Sequence, residues 1–551
     1  MGQAKDLIEA GDKLFGERQT LMSFFQEVAD NFYVERADFT VSRNLGAEFA
    51  DHLTTSFPII ARRDLGNAFS GMLRPRETEW FFMGLFREDR EDNAAKRWLE
   101  AKTKVQRRAM YERKANFTRA TKEADHDYAT FGQACISTEL NRAGTSLLYR
   151  DWHLRDVAWR ENAESIYDEI HRRWKPTALD LARDFGKARL HEKVVEALEQ
   201  DAYQRFNVRH IVMPSDAYDL VEGARRRNTD FVSIYVDVDN QHIIEESGAT
   251  NRIYTIPRWQ TVSGSQYAYS PAVVAALPDA RLIQAMTLSL LDAGEKSTTP
   301  PMVATKNVVR SDIQLFSGGI TWVDQEYDEK LGEALRPINQ DFTGAALGLE
   351  LARETREMIA EAFFLNKLNL PPPEKDMTAF EVGQRIQEFI RNALPLFEPM
   401  ELDYNADLCE NTFDTLFHGG AFGPEAEMPP VIREAIRTKT LQFRFESPLH
   451  QAIERQKGQH FLEAKQMLRE AAELSPASAT ILDARTALRE ALEGIGTPAN
   501  WMRSKDAVDE ILAEEAQRQQ GQEALAQLQQ AAEVGKAAGE AQQALAPQQA
   551  A

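Results

Sequence analysis

Two helical runs of similar length, Ser270 to Lys296 and Thr343 to Asn366, bracket a compact insert that opens at Pro300-Pro301. Runs of 27 and 24 residues would each reach roughly 36–40 Å at a rise of about 1.5 Å per residue. Pro278 predicts a kink or a restart in the first run. A chain with this pattern is constrained to turn up and back there as a hairpin, with a small strand-and-turn module at its far end. The loop Lys367 to Lys375 follows, and Pro371, Pro372 and Pro373 stiffen it towards polyproline II.

The second run offers two stripes. Leu347, Leu351, Thr355, Met358, Ala362 and Leu365 recur at steps of three and four, which predicts one packed face. Glu350, Glu354, Glu357 and Glu361 recur in the same way on another. Stacked carboxylates cost an isolated helix a few tenths of a kcal/mol per pair, and Arg353 and Arg356 relieve part of that. The ordinary reading of such a stripe is a solvated face. The sharper reading is the wall of a channel in which carboxylates keep nucleic acid from sticking. Lys367 and Lys375 supply the opposite sign, and in a ring each lysine would become a circle of point charges that holds phosphate weakly.

The chain has 551 residues, too many for one core, so it divides into several domains. Its longest apolar runs, such as Ala272–Leu277, fall short of the ~20 residues that span a bilayer, and the polar N-terminal stretch predicts no secretory signal. No membrane partner is expected. Cys135 and Cys409 lack metal-ligand spacing and read as buried reduced thiols, which fits assembly in a reducing cytoplasm. A net charge of −21 argues against tight DNA binding through phosphate neutralisation. It does not argue against a surface that DNA slides past.

Taken in order, residues 1–125 read as helical, with Leu7, Leu14, Leu21 and Phe24 as an apolar stripe and Trp80-Phe81-Phe82 as core. Residues 87–122 are densely charged and read as a solvated helix face. Ser146 to Trp159 suits half-exposed strands, and Asn207 to Met213 and Phe231 to Ile244 are strand-like, with a hairpin turn at Asp239-Asn240. Helices are predicted at Thr177–Phe185, Val194–Tyr203, Thr378–Ile390 and Asn405–Phe417, and a strand at Leu441–Phe445. From His450 to Gln517 the pattern is helix–turn–helix. The Ala/Gln-rich tail, 517–551, carries so little apolar surface that it either bundles with identical copies or stays disordered.

Chemical motifs fail one by one. Gly294-Glu-Lys296-Ser297 lacks the adjacent Gly-Lys of a P-loop, and His191-Glu192 lacks a second ligand because position 195 is Val. Asp237-Val-Asp239-Asn240 opens like a calcium loop, but His242 replaces the glycine. No catalytic constellation, metal site or cofactor site is expected, and the chain reads as no enzyme.

Tyr267-Ala-Tyr-Ser-Pro271, Ala276-Leu277-Pro278-Asp279 and the break at Thr299-Pro300-Pro301 resemble the portal (head-to-tail connecting) proteins of short-tailed bacteriophages. Pro257-Arg258-Trp259 upstream and Met377-Thr-Ala-Phe-Glu-Val382 downstream share the resemblance, as does the order of elements over nearly the whole chain. The resemblance implies a mixed α+β, mainly α portal fold, assembled as a ring of typically twelve subunits at one capsid vertex of the virion. By that analogy 1–269 and 379–450 form the wing, 270–296 and 341–366 the stem helices and 297–340 the clip. Residues 367–378 form the tunnel loop, 451–516 the crown and 517–551 a helical barrel or disordered tail. It further implies a conduit for double-stranded DNA in packaging and ejection, contacting a large terminase, a tail adaptor, and major capsid and scaffolding proteins. The competing class is a capsid adaptor or scaffold protein without a DNA-sized channel.

Overall fold

The computed structural model describes residues 2–43, 46, 50–76, 79–86, 93–222, 229–300, 302–304, 335–337, 344–368, 400–445, 461–470 and 483–494, with scattered positions from 497 to 522. The chain divides into two compact units. The larger holds residues 1–81, 104–424 and 445–449, and the smaller holds 82–103, 425–444 and 450–551.

In the larger unit, five antiparallel strands form a meander in sequence order: Val157–Glu161, Tyr167–Trp174, Val208–Pro214, Phe231–Asp237 and His242–Ala249. Alternation along the strands sends Ile211, Met213, Val232, Ile234 and Val236 to one face, where Ala4, Leu7 and Ile8 of the N-terminal helix Gly2–Glu17 cover them. Val208 and Ile244 on the other face meet the helices Ala178–Phe185 and Glu192–Gln200 through Leu181, Val194 and Ala197. Thr177 starts the first of these helices with a reciprocal capping box to Asp180. The predicted hairpin is present. Asp237 accepts hydrogen bonds from the backbone and side-chain nitrogens of Asn240, and Asp239 accepts from Asn207. The calcium-like acids are therefore turn acids.

A helical layer, Gln19–Phe32, Phe57–Leu73 and Phe117–Phe131, stands beside a three-stranded sheet of Leu147–Asp151, Ile136–Leu140 and Tyr254–Thr255. Asp125 and Asp127 of Phe117–Phe131 are buried, and each binds an arginine from another element. Arg74, which ends helix Phe57–Leu73, pairs with Asp125, donates to Asn405 at 2.7 Å and lies over the Tyr404 ring. Burial works against the charge on Arg74, but Asp125 outweighs it and holds its pKa above the ordinary value. Burial in turn pushes the Asp125 carboxyl up against the pull of Arg74. Arg36 donates to both oxygens of Asp127, at 2.7 and 3.0 Å, and also binds Asp151. Cys135 and Cys409 are buried free thiols in the same unit.

Several expectations need correction. The apolar N-terminal segment is not one run: it breaks at Arg18, whose guanidinium donates to the Leu154 and Arg155 carbonyls. Met22 and Phe25, rather than Leu21 and Phe24, are its fully buried residues there. Between 46 and 56, within the stretch read as helical, none of the described residues is helical, and the next helix begins at Phe57. Phe81–Leu85 is a strand that pairs with Leu441–Phe445, because a short aromatic run with a partner strand satisfies its backbone better as a ladder.

In the smaller unit, the helix Pro430–Arg437 buries Ile432 and Ala435, and the backbone N–H of Met83 donates to Thr103 at 3.1 Å. A helix at Ala484–Gly494 and helical residues 461–470 fall within the predicted helix–turn–helix. The predicted helix Thr378–Ile390 and the tail beyond residue 522 lie outside the described residues.

Candidate functional site

The first hairpin helix is Pro271–Thr298, and its start is built from side chains the sequence displays openly. The Ser270 hydroxyl accepts from the Val273 N–H at 3.4 Å and donates to the Ala129 carbonyl at 2.7 Å, so one residue caps this helix and ties it to Phe117–Phe131. Pro271 occupies the first turn, where its missing N–H costs nothing. The helix runs through Pro278 without ending there, which corrects the expected restart.

Its first half is buried through Ala272, Val273, Ala276, Leu277, Ala280 and Ile283. Two polar contacts mark where it leaves the body. The Arg281 guanidinium pairs with Glu27 at 2.7 Å. The Gln284 amide accepts from the backbone N–H groups of Thr54 and Thr55 at 2.7 and 3.0 Å and donates to the Thr55 carbonyl at 3.0 Å. Past Gln284 the helix is largely exposed, with Leu288 and Leu291 among its exposed apolar residues. Lys296, part of the apparent P-loop remnant, pairs with Asp292 one turn back. Among the described residues, Pro271–Thr298 is the one helix long and apolar enough to cross a membrane by length and composition. Alanines and leucines spread along it meet that criterion, although its uninterrupted apolar runs are short.

The second helix is Gly344–Ala362, shorter than the run read from sequence. It ends where Phe364 adopts a positive φ of 57°, before the short helix Leu365–Leu368. Gly348 near its start faces Leu290 near the end of the first helix, so the two run antiparallel; a Cβ on Gly348 would stand 3.0 Å from the Leu290 side chain. The strands Met302–Ala304 and Leu335–Pro337 pair antiparallel between them, as a compact insert requires.

The packed face is not the predicted one. Ala352, Thr355, Ile359 and Phe363 are buried, and the Phe363 ring lies 5.4 Å from that of Phe32. Leu347, Leu351 and Met358 are 63%, 45% and 47% exposed. Of the predicted stripe, only Thr355 is fully buried, and Ala362 and Leu365 are half-buried. At about 100° per residue, the exposed leucines and Met358 form a flank about a quarter-turn from the buried face.

Glu350, Glu354, Glu357 and Glu361 are all exposed. The same arithmetic places them about half a turn from Ala352, Thr355 and Ile359, on the side facing away from the body. Arg353 approaches Glu350 at 3.7 Å and Glu357 at 4.0 Å, all three largely exposed, so these pairs add little stability. Lys367 falls in the short helix Leu365–Leu368, and Lys375 lies outside the described residues. Sequence reasoning missed Gln284, Arg281 and the glycine at 132 that seats Ser270. The Ser-Pro pair at 270–271 was a readable capping signal; nothing local marks Gln284. His191, the false zinc ligand, instead caps helix Glu192–Gln200 through its ring nitrogen. Among the described residues, no group of His, Cys, Asp and Glu could hold a metal ion.

The profile of the family described as "Bacteriophage head to tail connecting protein" matches residues 4–502. The chain is 26% identical over 439 residues to the "Probable portal protein" of Bordetella phage BPP-1, covering 77% of this chain and 76% of that one. It is 23% identical over 202 residues to the "Portal protein" of Salmonella phage epsilon15, covering 36% of each. Among solved structures, "Neck of empty GTA particle computed with C6 symmetry" aligns over 70% of this chain and 85% of its own, at 11% identity and a TM-score of 0.33. A profile match over nearly the whole chain, on a mainly helical fold with the long antiparallel hairpin in place, means that this chain belongs to the bacteriophage head to tail connecting protein family.

Proposed function

We propose that the chain is the ring-forming subunit of a phage portal vertex in the virion, a conduit through which double-stranded DNA is packaged and ejected. The observation that carries this reading is the three-sided second hairpin helix. One side packs on the body, the opposite side is a row of four glutamates, and the flank between them is an exposed apolar stripe. A lone helix gains nothing from exposing Leu347, Leu351 and Met358. In a ring, that flank meets the hairpin of the next copy, a heterologous contact that closes on itself. The glutamates then line the lumen, and carboxylates there repel phosphate and prevent adhesion. Twelve copies would carry −252 formal charges.

In this reading residues 1–269 and 379–450 are the wing, 270–296 and 341–366 the stem, 297–340 the clip, 367–378 the tunnel loop and 451–516 the crown. Residues 517–551 form a barrel or a disordered tail. The clip would meet the large terminase during packaging and the tail adaptor afterwards, while the wing meets capsid and scaffolding proteins. The chain itself catalyses nothing, needs no cofactor and engages no membrane, and assembles in the host cytoplasm.

Negative-stain microscopy tests the ring. Wild-type protein is expected to form rings, and the Leu351→Asp/Met358→Asp variant to remain monomeric. Burying each parent side chain contributes about 1.5–3 kcal/mol per contact, and aspartate would replace that gain with a desolvation cost. A wild-type protein that never forms rings would favour the adaptor class; rings that survive both substitutions would remove the apolar flank from the interface. The charges call for a separate measurement. Lys367→Ala with Lys375→Ala should leave rings intact but lower DNA retention, and changing all four glutamates to glutamine should leave rings intact but shorten the packaged DNA. Unchanged retention and packaged length would remove both sets from the channel.

A further inference from the structure

The chain is acidic overall, yet one stretch inverts the sign. From Lys104 to Lys122 there are seven basic side chains against one acid, Glu112, a balance of +6 in a chain whose total is −21. The stretch spans the end of helix Asn93–Met110, the one-turn 3₁₀ segment Arg113–Ala115 and the start of helix Phe117–Phe131. Asn116, at a positive φ of 58°, makes the tight join between them. Lys104, Arg108, Arg113, Lys114 and Lys122 are all exposed, and no ion pair or hydrogen bond to a described residue holds any of the five. The other two are already engaged: Arg107 donates to the Arg76 carbonyl at 2.6 Å, and Arg119 pairs with Glu123 at 3.0 Å.

We infer that these five cations form a surface that holds the phosphate backbone of duplex DNA without reading its sequence, apart from the helical hairpin. Two observations choose DNA over an acidic protein. Among the described residues, no large hydrophobic between Phe86 and Leu140 is exposed, whereas stable protein interfaces are organised around buried apolar or aromatic anchors. Lys104 and Arg108 stand one helical turn apart, a step of about 6 Å, which presents point charges along a line, as a charged backbone requires and a base edge does not. The surface needs no ring and does not rest on the channel reading.

Fluorescence anisotropy of the full chain with a labelled duplex of about 30 bp tests it. Five neutralised phosphates predict a log–log salt slope of about −4 to −5, or about 500-fold weaker binding at 200 than at 50 mM salt. The K104E/R108E/K114E variant should bind more weakly and lose about 3 from that slope. The control K13E/K187E/K193E reverses three exposed cations elsewhere and should keep the wild-type slope. Equal thermal melting of the two variants shows that neither has lost its fold. Equal loss of binding in patch and control variants overturns the inference, as does wild-type protein that binds labelled poly-glutamate more tightly than the duplex. Because the readout is direct binding, its failure leaves the ring result untouched.

Discussion

Gly132→Ala is expected to destabilise the larger unit by about 4 kcal/mol or more, the range reached when a backbone clash adds to an unfavourable φ. Gly132 ends helix Phe117–Phe131 at a φ of 74°. A Cβ there would fall 2.1 Å from the Tyr269 carbonyl carbon and 2.3 Å from the Ser270 nitrogen. Both atoms are backbone, so no side chain can rotate out of the way. Any shift that relieves the clash moves Ser270 off the Ala129 carbonyl and unseats the cap of Pro271–Thr298. Helix Pro271–Thr298 and the body are therefore joined through one missing methyl group. Gly144→Ala is the matched control: its φ is 66°, but nothing stands within 4 Å, so only the conformational cost of about 1 kcal/mol remains. Denaturant unfolding of both variants measures the difference. Equal, small losses would show that the approach of Tyr269 to Gly132 relaxes freely.

Arg74→Met is expected to cost about 3–5 kcal/mol, because it leaves the Asp125 carboxylate buried without its cation. The side chain is engaged on three sides, by Asp125, the Asn405 amide oxygen and the Tyr404 ring, and its own carbonyl accepts from Tyr111 at 3.4 Å. Asp125→Leu alone should cost a similar amount by stranding the guanidinium. The double variant should recover much of the loss, since an apolar pair of similar volume avoids both desolvation costs. A double-mutant cycle by chemical denaturation reads this as a favourable coupling of about 1–3 kcal/mol. Additive losses, or a loss below about 1 kcal/mol for Arg74→Met, would mean that water reaches the pair and screens it.

Neither position stood out in the sequence. Arg74 sits in an Arg-Pro-Arg triplet, and Gly132 is one of 29 glycines. Their partners come from far along the chain: Asn405 is 331 residues from Arg74, and Ser270 is 138 from Gly132. Local pattern carries no trace of such pairings. The same holds for Gln284, whose side chain makes four hydrogen bonds, all with Thr54 and Thr55.

Much else was legible because its cause is local. Alternating β-branched and aromatic residues marked four of the five meander strands at least in part, but not Tyr167–Trp174, and Asp239-Asn240 marked the hairpin turn. Thr177 and Ser270-Pro271 announced helix starts, since caps satisfy orphan N–H groups within a few residues. The ordered combination of these signals also carried the family resemblance. Tertiary structure alone decided which side of Gly344–Ala362 packs. Periodicity weighs hydrophobicity, and by that measure Leu347, Leu351 and Met358 looked like the core. Close approach of two long helices selects for size instead, so Gly348, Ala352 and Thr355 turn inward and the larger residues turn out. That choice put the four glutamates on the side facing away from the body and left Leu347, Leu351 and Met358 as an exposed apolar flank.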